Sequence, residues 1–188
     1  MAPTHFVGVR HAREWIASTT LASLNQHGGR FMPVPVKPGY RALRRGRASC
    51  PGAAYLITSI TRERAPVFSH FHAGCAAARC FENPMLLRDS SMLAWVLMPD
   101  HVHWLIQLGE ADSLAALVNR LKSSSSRLAG KCMGTERGIW VAGFHDHGLR
   151  GEEDLQGVAR YIVANPLRAG LVRRVGDYPF WNAVWLEG

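Results

Sequence analysis

Three His-x-His pairs stand out as residues that could bind a metal ion: His70/His72, His101/His103 and His145/His147. Histidine is the commonest metal ligand among side chains that titrate near neutral pH. In a β-strand, residues i and i+2 point to the same face, whereas on a helix they diverge by about 200°. The secondary structure around each pair therefore decides which pair can share one ion.

The pair His101/His103 lies in the apolar run 101–108, which reads as a β-strand. We therefore expect both imidazoles to emerge side by side on one face, an arrangement that lets two rings bind one ion. The pair His70/His72 lies at the start of an alanine-rich helical pattern, so we expect these two histidines at the surface.

The third pair, His145 and His147, flanks Asp146 close to the end of an expected strand. These residues could contact the metal ligands without binding the metal themselves, or they could lie on a surface that faces DNA. A structural role accounts for them equally well.

Tyr161 is the candidate nucleophile, and Asn165 lies four residues on, one turn along the same helical face. A tyrosine on an amphipathic helix usually belongs to the core or its rim. A phenol can nevertheless attack a phosphate when a metal ion or a base helps, because its ordinary pKa of about 10 leaves it protonated at neutral pH.

The surrounding pattern predicts the elements that position these residues. Strands are expected over 54–61, 92–98, 101–108 and 139–144, and helices over 69–81, 113–130 and 151–165. Pro99-Asp100 is expected to turn the second strand into the third, and Pro166 to end or turn the last helix. This order predicts an α+β fold, a ferredoxin-like antiparallel sheet with helices packed against it.

Composition fits one globular domain of the 188 residues, with 47% apolar and 19% charged residues. No apolar run approaches the ~18 residues of a membrane span. We expect residues 1–39 to be a poorly ordered or non-native extension, with Met32 as an alternative start to Met1, and 40–188 to form the domain. The net charge of +8 is uneven, because residues 1–47 carry eight basic residues against one acid.

The four cysteines form no CxxC pair and match no zinc-binding spacing. Free thiols are typical of a reducing compartment, and residues 1–31 lack the apolar core of a secretory signal. These features predict a cytoplasmic protein.

Three segments carry a family resemblance: MPDHVHWLIQL at 98–108, GFHDHGLR at 143–150 and ARYIVANPLRAGLV at 159–172. Together, over residues 40–186, they resemble the REP-associated tyrosine transposases of the single-tyrosine HUH transposase superfamily. The HUH motif is two histidines around a hydrophobic residue. The longer tyrosine-helix motif is the more specific of these signals.

The resemblance implies an enzyme that cuts and rejoins single-stranded DNA. His101 and His103 would hold a divalent ion, Mg²⁺ or Mn²⁺, with Asn165 as a third, oxygen ligand. Tyr161 would attack the scissile phosphate and leave a 5′-phosphotyrosine and a free 3′-OH. Since imidazole suits softer metals than Mg²⁺, Mn²⁺ fits the chemistry of the ligands better.

The DNA partner implied by the resemblance is a hairpin-forming, palindromic extragenic repeat. Candidates for holding its backbone are basic residues of an arm and of the helix over 113–130, namely Arg41, Arg44, Arg45 and Arg47, and Arg120, Lys122, Arg127 and Lys131. For the arm, a merely solvated basic segment is the competing interpretation. A homodimer is also open, since mobile members of the superfamily exchange their tyrosine helices.

Two other functions remain compatible with the sequence. One is a repeat-DNA-binding protein that keeps the fold without cutting. The other is a metal-dependent nuclease that uses the histidines, treats Tyr161 as a core residue and forms no covalent intermediate.

Overall fold

The structure is a computed structural model, and it describes residues 49–149 and 154–186. The expected N-terminal extension at 1–39 lies outside the described residues. So do the four arginines of the basic arm, Arg41, Arg44, Arg45 and Arg47.

A five-stranded antiparallel sheet forms the centre of the molecule. Its strands are β1 (Ala54–Ile60), β2 (Ser91–Leu97), β3 (His101–Gln107), β4 (His145–Gly148) and β5 (Trp181–Ala183). The order across the sheet is β4-β1-β3-β2-β5. The first four strands follow the ferredoxin-like order that the sequence predicted, and β5 extends the sheet beside β2.

The turn of the β2–β3 hairpin ends directly before His101, the first histidine of the 101/103 pair. Its two-residue turn is Pro99-Asp100, closed by the backbone N–H of Met98, which donates to the carbonyl of His101 at 2.8 Å. Thr61, directly after β1, holds the same turn, because both its N–H and its hydroxyl donate to the carbonyl of Asp100. The expected hairpin is confirmed, and its turn is fixed from two sides.

Five α-helices accompany the sheet in the described residues: α1 (Phe71–Ala78), α2 (Pro84–Leu87), α3 (Leu114–Cys132), α4 (Leu155–Val163) and α5 (Asn165–Arg168). Short 3-10 helices lie at Arg62–Arg64, Val67–Ser69, Val175–Asp177 and Val184–Leu186. The expected N-cap of α3 is confirmed, since the Ser113 hydroxyl accepts from the N–H of Ala116. None of the described helices has both the length and the apolar character to cross a membrane.

Alternate residues of the strands divide the apolar core between the two faces of the sheet. On one face, which we call the α1/α3 face, Ile57 and Trp104 pack with Leu117 of α3. On the other, which we call the α4 face, Leu56 and Leu105 pack with α4. All of these side chains are at most 6% exposed, so each face buries a continuous apolar layer.

The expected strand over 139–144 is wrong. Trp140 makes only an isolated bridge to Thr61, and the strand that joins the sheet is β4. Two causes are visible. Gly143 has a positive φ of 111°, which interrupts an extended strand, and the ammonium of Lys122 donates to the carbonyls of Val141 and Gly143 at 2.7 and 2.6 Å.

The expected helix over 151–165 is shorter in the structure. Residues 151–153, with two of its expected first-turn acids, lie outside the described residues, and α4 begins at Leu155. The turn expected at Pro166 is confirmed, because this proline lies in the first turn of the separate helix α5.

Candidate active site

His101 and His103 lie next to each other on β3, and their ring centroids are 5.0 Å apart. Both share strand parity with Leu105, which packs in the α4 face, so both rings project toward that face. The rings meet edge to face at an interplanar angle of 85°. The structure therefore brings this pair together on one face, as the strand periodicity predicted.

Asp100, in the hairpin turn, fixes the ring of His101. Its carboxylate oxygen accepts from Nδ1 of His101 at 2.6 Å, and its other oxygen accepts from Arg64 at 3.2 Å. Although burial opposes the effect, the hydrogen bonds and charges of His101 and Arg64 lower the pKa of Asp100. Because an ionised carboxylate only accepts, Nδ1 of His101 donates this hydrogen bond, which leaves Nε2 as the ring nitrogen that could face a metal.

Thr58, on β1, contacts the second histidine. Its hydroxyl lies 2.8 Å from Nδ1 of His103, directly across the β1–β3 pair. Burial lowers the pKa of His103 to about 3, and electrostatic interactions with His101, Arg168 and Arg64 act in the same direction. A neutral imidazole is the form that binds metals, so His103 is held in that form.

Tyr161 reaches the same face of the sheet on α4. The helix buries Ala159, Ile162 and Val163 against that face, and Tyr161 is half-buried at the rim of this core. The packing follows from the amphipathic pattern of the helix, whose buried residues lie together on one side. The tyrosine and the two histidines therefore share one layer of one chain.

Arg168, on α5, is a site residue that the sequence analysis missed. Its Cζ atom lies 3.7 Å from the centroid of the Tyr161 ring, within the range of a cation–π contact. One guanidinium nitrogen donates to the carbonyl of Tyr161 at 3.0 Å, and the other donates to Oδ1 of Asn165. The available signal was spacing, because Tyr161, Asn165 and Arg168 follow an i, i+4, i+7 pattern.

Asn165 begins α5 and is held at both ends of its side-chain amide. Its Nδ2 donates to the carbonyl of Ile162 at 2.9 Å, and its Oδ1 accepts from Arg168. Among the described residues, no group of three or more His, Cys, Asp or Glu side chains could hold a metal ion. The imidazoles of His101 and His103 are groups on this face that could hold a cation.

In the third histidine segment, the two histidines lie on one face of the sheet and the aspartate between them lies on the other. Across β4 and β1, His145 pairs with Thr58 and His147 with Leu56, so both histidines point to the α4 face. Asp146 pairs with Ile57 and points to the α1/α3 face, away from His101 and His103. His145 lies in one cross-strand row with Thr58 and His103, two strand spacings or about 10 Å from the latter.

His70 and His72 lie at the surface, as the sequence predicted. The ring nitrogen of His70 accepts from the N–H of Ala73 at 3.4 Å, so this histidine caps the N-terminus of α1.

The four basic residues proposed on α3 do not form one exposed surface. Lys122 is only 8% exposed and anchors the 139–144 segment, which corrects its assignment to a solvent-facing DNA surface. Arg120 is partly buried and binds Asp112 and the carbonyl of Leu86. Arg127 and Lys131 are exposed, on the layer opposite the histidines.

These features define a ferredoxin-like domain with a histidine pair on the central strand and a tyrosine helix on the same face. Residues 51–165 match the family described as "Transposase IS200 like", and the chain belongs to this family.

Two relatives of this chain are named REP-associated tyrosine transposases, one of them provisionally. One, from Escherichia coli strain K12, is 31% identical over 94 residues, which cover 50% of this chain and 54% of that protein. Another, from Haemophilus influenzae, carries the same name provisionally and is 35% identical over 98 residues, covering 47% of this chain and 56% of the relative. The matched part of this chain thus spans about half the length of each relative.

A solved structure of a REP-associated tyrosine transposase bound to a REP hairpin resembles the fold. Its TM-score to this chain is 0.55 at 25% sequence identity, and the match covers 72% of this chain and 79% of that one.

Proposed function

We propose that this protein is a tyrosine transposase that cuts and rejoins single-stranded, hairpin-forming DNA through a 5′-phosphotyrosine intermediate at Tyr161. The observation that carries the proposal is the placement of α4. It packs on the face of the sheet to which His101 and His103 project, and Arg168 contacts the Tyr161 ring on the same side.

The reaction needs an oxygen nucleophile aligned with a phosphodiester. The phenol oxygen of Tyr161 forms a bond to phosphorus as the bond from phosphorus to the 3′ oxygen breaks. The phenol loses its proton to solvent or a base, and the departing 3′ oxygen gains one. Rejoining runs the same exchange in reverse, with a free 3′-OH attacking the phosphotyrosine.

The roles of the remaining side chains follow from their contacts. His101 and His103 would hold a divalent cation through Nε2, with Asp100 and Thr58 fixing the two rings from behind. Asn165 would supply an oxygen ligand. When bound, the cation would polarise the scissile phosphate and offset its developing charge. Arg168 would keep the Tyr161 ring from turning away.

The relatives support hairpin DNA of a palindromic repeat as the substrate. The exposed Arg127 and Lys131 remain our proposal for contacts to the DNA backbone, together with the arginines of the basic arm. Their layer is opposite the histidines, so the DNA would have to pass around an edge of the sheet. The four cysteines are free thiols, as is usual for proteins in a reducing compartment. We therefore propose that the protein acts on DNA in the cytoplasm.

Covalent capture tests the proposal. The protein is incubated with Mn²⁺ and a 3′-labelled pool of single-stranded hairpins with randomised flanks, and the products are resolved under denaturing conditions. The label must be on the 3′ side because the tyrosine retains the 5′ phosphate. We expect a labelled protein band that a chelator suppresses and that Tyr161→Phe abolishes.

The matched control is Tyr55→Phe, which removes one phenol oxygen on the opposite face of the sheet, where it accepts from the N–H of Cys50. This variant should form the adduct. Hairpin binding without any adduct would indicate a DNA-binding protein that does not cut. Cleavage that persists in Tyr161→Phe would indicate a metal-dependent nuclease without a covalent intermediate.

A further inference from the structure

Arg168 is the group through which the tyrosine helix and the proposed metal site meet. We propose that Arg168 is a positioning residue that holds the Tyr161 ring and competes with the divalent cation for the carboxamide oxygen of Asn165. Metal binding would thereby release the guanidinium from Asn165 while the ring contact remains. This inference rests on the proposed function, because it takes Asn165 as a metal ligand.

Arg168 contacts both Tyr161 and Asn165. The guanidinium carbon lies 3.7 Å from the Tyr161 ring centroid, and one of its nitrogens donates to the carbonyl of the same residue at 3.0 Å. Its other terminal nitrogen donates to Oδ1 of Asn165. One planar fork thus fixes the orientation of the nucleophile's ring and of the amide at the same time.

Competition follows from charge. An amide oxygen has two lone pairs, but a divalent cation on one of them would place two like charges within a few Å of each other. The guanidinium of Arg168 already occupies one side of this oxygen, because its terminal nitrogen donates to Oδ1 of Asn165. A guanidinium at hydrogen-bond distance from Asn165 therefore opposes the binding of a cation to that oxygen.

This competition predicts effects of opposite sign on two measurements. Arg168→Gln removes the positive charge and the competitor, so Mn²⁺ should bind more tightly, by roughly three- to tenfold. The same change removes the clamp on the Tyr161 ring, so adduct formation at saturating Mn²⁺ should slow by roughly tenfold or more. A residue with a purely structural role would weaken both.

The experiment measures Mn²⁺ affinity by electron paramagnetic resonance of the free ion, without DNA, and single-turnover adduct formation separately. The matched control is Arg173→Gln, which removes the same charge from an exposed arginine five residues away. It should change neither quantity. Melting by circular dichroism establishes that each variant is folded. Arg168→Lys, which keeps the charge without the fork, should restore Mn²⁺ affinity toward the wild-type value while adduct formation stays slow.

A second comparison isolates the shared oxygen. In the Asn165→Ala background, most of the gain in Mn²⁺ affinity caused by Arg168→Gln should vanish, because the contested ligand is gone. An unchanged or weaker Mn²⁺ affinity in Arg168→Gln would overturn the inference. If His103→Ala then still abolishes Mn²⁺ binding, the proposed metal site stands. If the wild-type protein binds no Mn²⁺, the metal site of the proposed function fails and this inference fails with it.

Discussion

At the scale of single residues, the two histidines are oriented by different partners. His101 depends on a carboxylate, Asp100, which is itself held by Arg64. His103 depends on a hydroxyl, Thr58, from the neighbouring strand. The carboxylate adds a negative charge behind the ring, which raises the affinity of the ring for a cation, whereas the hydroxyl only orients.

Asp100→Asn should therefore weaken Mn²⁺ binding and slow adduct formation, each by roughly tenfold. The side chain keeps its shape and its acceptor oxygen, but the charge that favours the Nδ1–H tautomer of His101 is lost. The measurement is Mn²⁺ titration of the folded variant, followed by covalent capture. Asp177→Asn, which removes an exposed carboxylate paired with Arg174, is the control. Equal Mn²⁺ affinity in wild type and Asp100→Asn would contradict this reading of the Asp100–His101 contact.

Sequence periodicity was sufficient to place His101 and His103 on one face, because a strand permits only one alternation. It was insufficient for Asp100 and Arg168. A charged residue in a turn or at a helix end is usually solvated. Its position in the sequence does not predict which other side chain it contacts. Lys122 shows the opposite error, since its charged type predicted a surface although its ammonium binds two backbone carbonyls inside.

At the scale of elements, Asp89 connects the segment before β2 to the loop that leads into α3. One of its carboxylate oxygens accepts from the N–H groups of Glu110 and Ala111 at 2.6 and 2.8 Å. Gly109 permits the approach, because a Cβ at that position would come within 2.3 Å of the Asp89 side chain. These hydrogen bonds lower the pKa of Asp89 below its ordinary value of 3.8.

This contact predicts an acid-sensitive contribution to stability. Because the folded-state pKa of Asp89 is lowered, the contribution is complete above the unfolded value of 3.8 and is lost as the pH falls through the folded value. The melting temperature of Asp89→Asn should lie below that of wild type at neutral pH, and the gap should close below about pH 4. Gly109→Ala, which displaces the same carboxylate, should show the same convergence. A gap that stays constant down to about pH 2.5 would exclude the carboxylate as its cause.

The sequence patterns located well those elements whose apolar periodicity and end signals lie within the element itself. The strands β1, β2 and β3 and the helix α3 fall within two residues of their expected bounds. The segment 139–144 has an equally apolar pattern, yet its backbone is taken up by Lys122 and interrupted at Gly143. Such a tertiary contact, made across 19 and 21 residues of sequence, leaves no local trace in the pattern.

At the scale of the whole molecule, the sheet separates the larger part of the apolar core from the proposed active site. Its α1/α3 face buries the larger apolar cluster, and its α4 face carries the histidines, the tyrosine and Arg168. Since α4 covers the sheet of its own chain, one polypeptide brings together every residue that we propose for the reaction. An exchanged dimer, in which a partner supplies the tyrosine helix, is not required by this packing.

Mixing two inactive variants tests that arrangement. Tyr161→Phe keeps the histidines and lacks the nucleophile, and His103→Ala keeps the nucleophile and lacks a metal ligand. If each chain completes its own site, a mixture of the folded variants should form no more adduct with hairpin DNA than either variant alone. Light scattering should give a mass near 20.8 kDa for the free protein. Adduct formation restored by mixing would instead mean that α4 is exchanged between subunits, because only then would an intact histidine pair face an intact tyrosine.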